Sequence, residues 1–180
     1  GLLEEHTPAY DYARELDCTF VTTSLSKADF SARHREYAET CNRIDAIARD
    51  RGLTFAYHNH GVEFTEVDGV TAYDLFCARL GKNVALNANV LWAQMGSVDP
   101  IQFLTTFLDR SPIVHVGDCN AAGEFCDLGT GVAPLPEIMA MLEGRVQWAV
   151  LDHDNEANDE LPSAERCIRC LRKLVRARSS

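Results

Sequence analysis

The chain has no apolar run approaching the ~18–20 residues that a membrane helix needs, so no membrane partner is expected. It has no basic-then-apolar leader. The opening GLLEEHTPAY is acidic, and the reading is a cytoplasmic protein. It has no excess of positive charge: 17 Lys and Arg stand against 27 Asp and Glu, for a net charge of −10. That balance argues against nucleic acid as a partner and leaves divalent cations open. No GxGxxG follows any apolar segment, so a dinucleotide-binding sheet finds no support. Internal repeats and low-complexity stretches are absent as well.

Cysteine is not scarce, but its pattern is uninformative. Seven are scattered, at 18, 41, 77, 119, 126, 167 and 170, which suggests reduced thiols. Cys167 and Cys170 form a CxxC inside the helical pattern SAERCIRCLRKLV, and they read as small core residues of one helix face. A zinc or redox site there needs a second ligand pair, and none has suitable spacing.

What is present is an ordinary globular composition, with 46% hydrophobic and 24% charged residues over 180 positions. One domain spanning 1–180 is expected. Short β-branched runs alternate with helical patterns. Strands are expected over Thr19–Leu25, Leu53–His58, Asn83–Asn89, Pro112–Val116 and Arg145–Leu151, with LGTGV as a possible sixth. Helices are expected over Pro8–Leu16, Ser31–Asp50, Thr71–Leu80, from Asp99-Pro100 to Leu108, from Pro134 or Pro136 to Leu142, and from a Ser163 cap to Arg176. A loop is expected around Asp68-Gly69. The acidic stretch Asp154–Glu160 and the basic run Arg166, Arg169, Arg172, Lys173, Arg176 and Arg178 read as solvated.

This alternation predicts a parallel sheet with helices outside, as an open doubly wound sheet or a (β/α) barrel. Polar residues cluster just past several strand ends, where barrel enzymes build their sites. His58, His60 and Glu63 follow one strand and Asn89 another. His115 and Asp118 end a third, and Asp152, His153 and Asp154 follow the fifth. A full barrel takes eight units, so five or six strands make an incomplete one, with the first strands missing. Open sheet edges expose unpaired backbone, which a homo-oligomer, a partner chain or further sequence would cover.

The strand end FAYHNHGVEF carries the most chemistry. Alternate residues of an extended chain point the same way, so His58 and His60 share a side, and Glu63 can face back toward them. Imidazole plus carboxylate suits Mn²⁺, Fe²⁺, Co²⁺ or Zn²⁺. Polar residues that simply close a strand are the plainer alternative.

AYHNHGVEF, DGVTAYDLF, VALNANVLWAQMGSVDP, IVHVGD, LGTGVAPLPEI and WAVLDHD occur in that order. In this the chain resembles the sugar phosphate isomerase/epimerase family, the xylose isomerase-like TIM barrels. The resemblance implies one divalent metal, often Mn²⁺, held by Glu63, His115, the position of Asn89 and the position of Asp152. The family has an aspartate where Asn89 stands and a glutamate where Asp152 stands. A lysine usual in the family is Gly117 here. His60 is implied as an acid or base, with Glu63 and Asp152 as the other catalytic candidates. His58, Trp92 and Asp118 are candidate substrate contacts. The implied substrate is a keto sugar or derivative, which is epimerised, isomerised or subjected to elimination through an enediolate. The neutral Asn89 favours the alternative of a catalytically impaired member that binds a sugar-like ligand or a partner protein.

Overall fold

A computed structural model describes residues 2–3, 7–153 and 160–176. The acidic stretch from Asp154 to Asp159, Arg178 and the terminal serines lie outside the described residues.

In chain order, α1 (Pro8–Glu15) precedes β1 (Phe20–Thr23), α2 (Phe30–Asp50) and β2 (Thr54–His58). The hairpin of β3 (Glu66–Val67) and β4 (Val70–Thr71) leads into α3 (Ala72–Cys77). β5 (Ala85–Asn89) runs directly into α4 (Val90–Met95), and α5 (Pro100–Phe107) follows. After β6 (Ile113–Val116) come the hairpin of β7 (Asp118–Cys119) and β8 (Phe125–Cys126), then α6 (Leu135–Leu142), β9 (Trp148–Leu151) and α7 (Glu160–Arg176).

Five strands form the main sheet, in the order β1-β2-β5-β6-β9. The pairs β1–β2, β2–β5 and β6–β9 are parallel. Sheet order follows chain order without a reversal. A doubly wound sheet requires a reversal, so the strand order decides for the barrel type. With five strands, the sheet ends at β1 and at β9 among the described residues. The chain divides into two compact units, Gly1–Asn87 and Ala88–Ser180, and the boundary falls inside β5.

In the first unit, α2 turns Tyr37, Cys41, Ile44 and Ala48 inward, the face expected from the 3.6-residue period. Phe30, Tyr57 and Phe76 are fully buried, with ring centroids 5.3 Å apart for Phe30–Phe76 and 4.6 Å for Tyr57–Phe76. Burial of each such ring is worth ~1.5–3 kcal/mol. The Asp68-Gly69 loop is a two-residue hairpin turn, with φ of 52° and 80°. Both residues being left-handed is what the right-handed twist of the flanking strands demands. Thr71 closes the turn and caps α3, accepting from the Asp74 amide at 3.0 Å.

In the second unit, Asp99 caps α5 by accepting from the Gln102 amide at 2.8 Å, and Pro100 takes the first turn as expected. Phe103, Leu104, Ile138 and Leu142 are buried.

Two expectations need correction, and α4 over Val90–Met95 is an element the sequence reading did not include. LGTGV contributes no strand; the small β7–β8 hairpin before it does pair, but outside the main sheet. Ser163 does not cap α7. The helix begins at Glu160, and Ser163 lies inside it, fully buried. Among the described residues no helix is long and apolar enough to cross a membrane.

Candidate functional site

The first unit gathers its polar residues around Glu63, which a 3-10 turn over Val62–Phe64 carries beyond the end of β2. Glu63 is completely buried. Its Oε1 accepts three hydrogen bonds: from the Tyr57 hydroxyl at 2.9 Å, from the His60 backbone amide at 3.1 Å, and from the Ser26 hydroxyl. Three donors fix the carboxylate in one orientation. Burial, followed by the Glu63 charge, pushes the Tyr57 hydroxyl well above its ordinary range, so Tyr57 keeps the proton it donates. Oε2 of Glu63 is also buried and has no hydrogen-bond partner among the described residues. A buried carboxylate oxygen without a donor is a costly arrangement that a cation relieves. The donor chemistry at Glu63 therefore fits a divalent metal.

His60 stands beside it. Its Nδ1 lies 2.9 Å from the Ser26 hydroxyl and 3.0 Å from that of Ser24, and the two serines are 2.5 Å apart. Ser26 already gives its proton to Glu63, so it receives from His60. Nδ1–H is then the donor to Ser26, and in the tautomer that carries this proton the lone pair lies on Nε2. The His58 ring stands edge-on to His60, with centroids 4.9 Å apart. His58 and His60 thus share a side, as alternation predicts.

Ser24, Ser26 and Tyr57 were not among the residues the sequence singled out. Serines following a short strand carry no signal of their own. The one available cue is the period-2 spacing of Ser24 and Ser26. Asn87 is a further addition: it is buried, in register with His58, and its Oδ1 lacks a hydrogen-bond partner.

In the second unit, Asn89 and Asp152 meet. The Asn89 amide donates to Asp152 Oδ2 at 2.5 Å, and its carbonyl oxygen accepts from the Trp92 backbone amide at 3.1 Å. Asn89 is thus the N-cap of α4, and it also presents the positive end of its side-chain dipole to the neighbouring carboxylate. At this position the oxygen that could ligate a metal already accepts one hydrogen bond from the helix, which leaves it one lone pair. Trp92 is half-buried and packs edge-on against Phe125, with centroids 5.3 Å apart.

Asp118 is buried, and its carboxylate organises the glycine loop. Oδ2 accepts from the amides of Gly129 at 2.9 Å and Gly131 at 3.0 Å, and Oδ1 accepts from Ala133 at 3.0 Å. Of the roles open to Asp118, loop cap is the one these contacts describe. A Cβ at Gly131 would collide with the Cys119 carbonyl and the Asp118 carboxylate. Gly117 is equally confined: a Cβ there would come 2.5 Å from Leu91 Cδ2 and 3.1 Å from the Asp152 carbonyl. His115 is half-buried at the penultimate residue of β6.

Solved structures share this fold. Two sugar phosphate isomerase/epimerases from Parabacteroides distasonis ATCC 8503 superpose with TM-scores of 0.76 and 0.78, at 21% and 19% identity. The matches cover 91% and 92% of this chain, and 60% and 62% of theirs. The IOLI protein with a binding zinc atom superposes with a TM-score of 0.71 at 15% identity, over 93% of this chain and 66% of its own. At such identities the likeness shows the fold, that of the xylose isomerase-like TIM barrels. The chain spans about three fifths of the length of the first two structures. No protein-family model matches it, and no curated protein does.

Proposed function

We propose that the chain is a divalent-metal-dependent sugar isomerase or epimerase, or a lyase of the same type, acting on a keto sugar through an enediolate. The observation that carries this reading is Glu63, a fully buried carboxylate with one oxygen fixed by three donors and the other without a hydrogen-bond partner. Such an oxygen calls for a cation. The proposed ligands are Glu63, His115 and Asp152, with Asn89 as a weak neutral fourth, and Mn²⁺ suits the oxygen-rich set. When bound, the metal polarises the substrate carbonyl as a Lewis acid.

His60 is the proposed acid–base group. With Nδ1–H held by Ser26, its Nε2 lone pair takes the proton from the carbon next to the carbonyl, and the C–H electron pair moves into the enediolate. Return of the proton to the neighbouring carbon gives the isomer. Return to the opposite face of the same carbon gives the epimer. Asp152 is the proposed second proton carrier. Its orientation is set by Asn89. His58 and Trp92 are proposed substrate contacts, and Asp118 is proposed to shape the substrate loop through the glycine amides.

One observation favours a second reading. Asn89 donates to Asp152 Oδ2 directly, so that oxygen has a partner without a cation. A chain that binds a sugar-like ligand without turning it over is consistent with that arrangement.

Both readings meet in one experiment. The protein is incubated in D₂O with a panel of keto sugars and Mn²⁺, Co²⁺ or Zn²⁺, and loss of C–H signal is followed by NMR. Exchange is common to epimerisation, isomerisation and elimination, so it reports the shared intermediate whatever the product. Metal-dependent exchange that disappears in Glu63→Gln supports the enzyme. Saturable ligand binding without exchange, under every metal, overturns it in favour of the second reading.

A further inference from the structure

A second polar cluster in the second unit has no part in the proposed reaction. Asp127 follows β8, His153 follows β9, and Cys167 lies in α7. One oxygen of Asp127, a ring nitrogen of His153 and the sulfur of Cys167 all lie within 4.8 Å of one another. Cys167 is almost completely buried, and the other two are half-buried.

We propose that Asp127, His153 and Cys167 bind a borderline-soft divalent cation, zinc foremost, which fastens α7 to the loop after β8 and to the end of β9. Carboxylate, imidazole and thiolate are the three donor types that zinc takes, and three protein ligands leave a fourth position open. The thiolate selects against a hard cation such as Mn²⁺. At the 4.8 Å limit the three atoms lie ~2.8 Å from their common centre, and zinc bonds of ~2.0–2.3 Å ask each to close by roughly half an ångström or more.

The surroundings already support two of the ligands. The Leu128 backbone amide donates to Cys167 Sγ at 3.2 Å, the contact that steadies a sulfur carrying negative charge. Arg166 donates to Asp127 Oδ2, which leaves Oδ1 as the ligand atom. Ser163 lies between His153 and Asp127. Its hydroxyl lies 2.6 Å from His153 Nε2 and donates to Asp127 Oδ1. One buried hydroxyl thus bridges two of the three ligands, and the cation would displace it or recruit it as the fourth donor. Burial pushes the Cys167 thiol up, so the cation must displace that proton.

The test uses the chelator-stripped full chain and Co²⁺ as a spectroscopic stand-in for Zn²⁺. One equivalent of Co²⁺ should give a near-ultraviolet sulfur-to-cobalt charge-transfer band together with visible bands of tetrahedral intensity, and Zn²⁺ should abolish both. Cys167→Ser should lose the charge-transfer band, and His153→Gln should weaken binding by more than ~10-fold against a chromophoric chelator. Cys126→Ser and Glu63→Gln should leave the band intact, which separates this site from the sugar chemistry. Far-ultraviolet circular dichroism confirms that each variant is folded, and His153→Gln provides the test if Cys167→Ser does not fold. Absence of a sulfur-to-cobalt band in the wild type overturns the proposal. Persistence of the band in Cys167→Ser, or undiminished affinity in His153→Gln, overturns it equally.

Discussion

Asn89→Asp is the most informative single change, because it introduces a carboxylate while leaving the helix cap intact. Asp caps a helix about as well as Asn, so the bond to the Trp92 amide survives. What changes is the contact with Asp152, where a 2.5 Å hydrogen bond becomes two carboxylates facing each other. At ~3 Å and an effective dielectric of ~20, two like charges repel by about 5–6 kcal/mol. Protonation limits the cost, because a pair that shares one proton carries one charge instead of two. Asp152 is half-buried, so solvent screening brings the penalty to roughly 2–4 kcal/mol. A chain of this size should then melt roughly 5–15 °C lower in EDTA. The pH dependence has a definite sign. The raised carboxyl binds its proton more tightly in the folded state, so the penalty vanishes near pH 4 and grows as pH rises through the raised value. A divalent cation held by the new pair reverses the loss, by ~2.7 kcal/mol at a hundred times its dissociation constant. The assay is thermal unfolding by circular dichroism, with EDTA or with Mn²⁺, between pH 4 and 8. Equal melting of wild type and variant in EDTA at pH 7 refutes the reasoning, as does a gap that fails to close toward pH 4.

Tyr57→Phe removes one of the three donors to Glu63 Oε1, and the loss of a hydrogen bond to a charged group should cost ~1.5–3 kcal/mol in urea unfolding with the slope unchanged. Gly131→Ala should destabilise by roughly 2 kcal/mol or more, because its Cβ meets the Cys119 carbonyl and the Asp118 carboxylate. Gly123→Ala, at φ +78° with open space around it, should cost only the ~1–2 kcal/mol of a left-handed alanine. Equal losses would contradict the packing described at Gly131. Burial pushes the Cys41 thiol up to about 12, which leaves about one molecule in ten thousand as thiolate at pH 8. A disulfide reagent should therefore modify the exposed Cys18 at once and Cys41 only on unfolding; prompt modification of Cys41 in the native state would show that its helix face is not closed.

The strands and most helices are legible in the sequence because apolar runs and turn residues agree there. Thr71, Asp99-Pro100 and Asp68-Gly69 each signal their local structure correctly. The misreadings occur where one residue serves two masters. The strand end at Asn89 is legible, but the helix after it is not, because Asn89 ends the strand and caps the next helix with the same side chain. Ser163 has the sequence context of a cap, but its hydroxyl is drawn inward between His153 and Asp127. The site shows the same division. His60 and Glu63 are legible because they sit on one short segment, whereas Ser24 and Ser26 reach them from more than thirty residues away. Asp127, His153 and Cys167 follow no metal-ligand spacing, and only the packing of α7 brings them together.

Asn89 shows how far such a reading can mislead about energetics. From sequence, replacing a carboxylate by an amide looks like a simple loss of charge from a ligand set. In the folded chain the amide supplies a donor to Asp152 and an acceptor to the Trp92 amide, so both ends of the side chain are satisfied. A neutral dipole thereby does for one oxygen of Asp152 part of what a cation would do. Glu63 has no such substitute for its second oxygen. Glu63 and Asp152 therefore differ in what a cation would supply, and a carboxylate introduced at position 89 tests that difference.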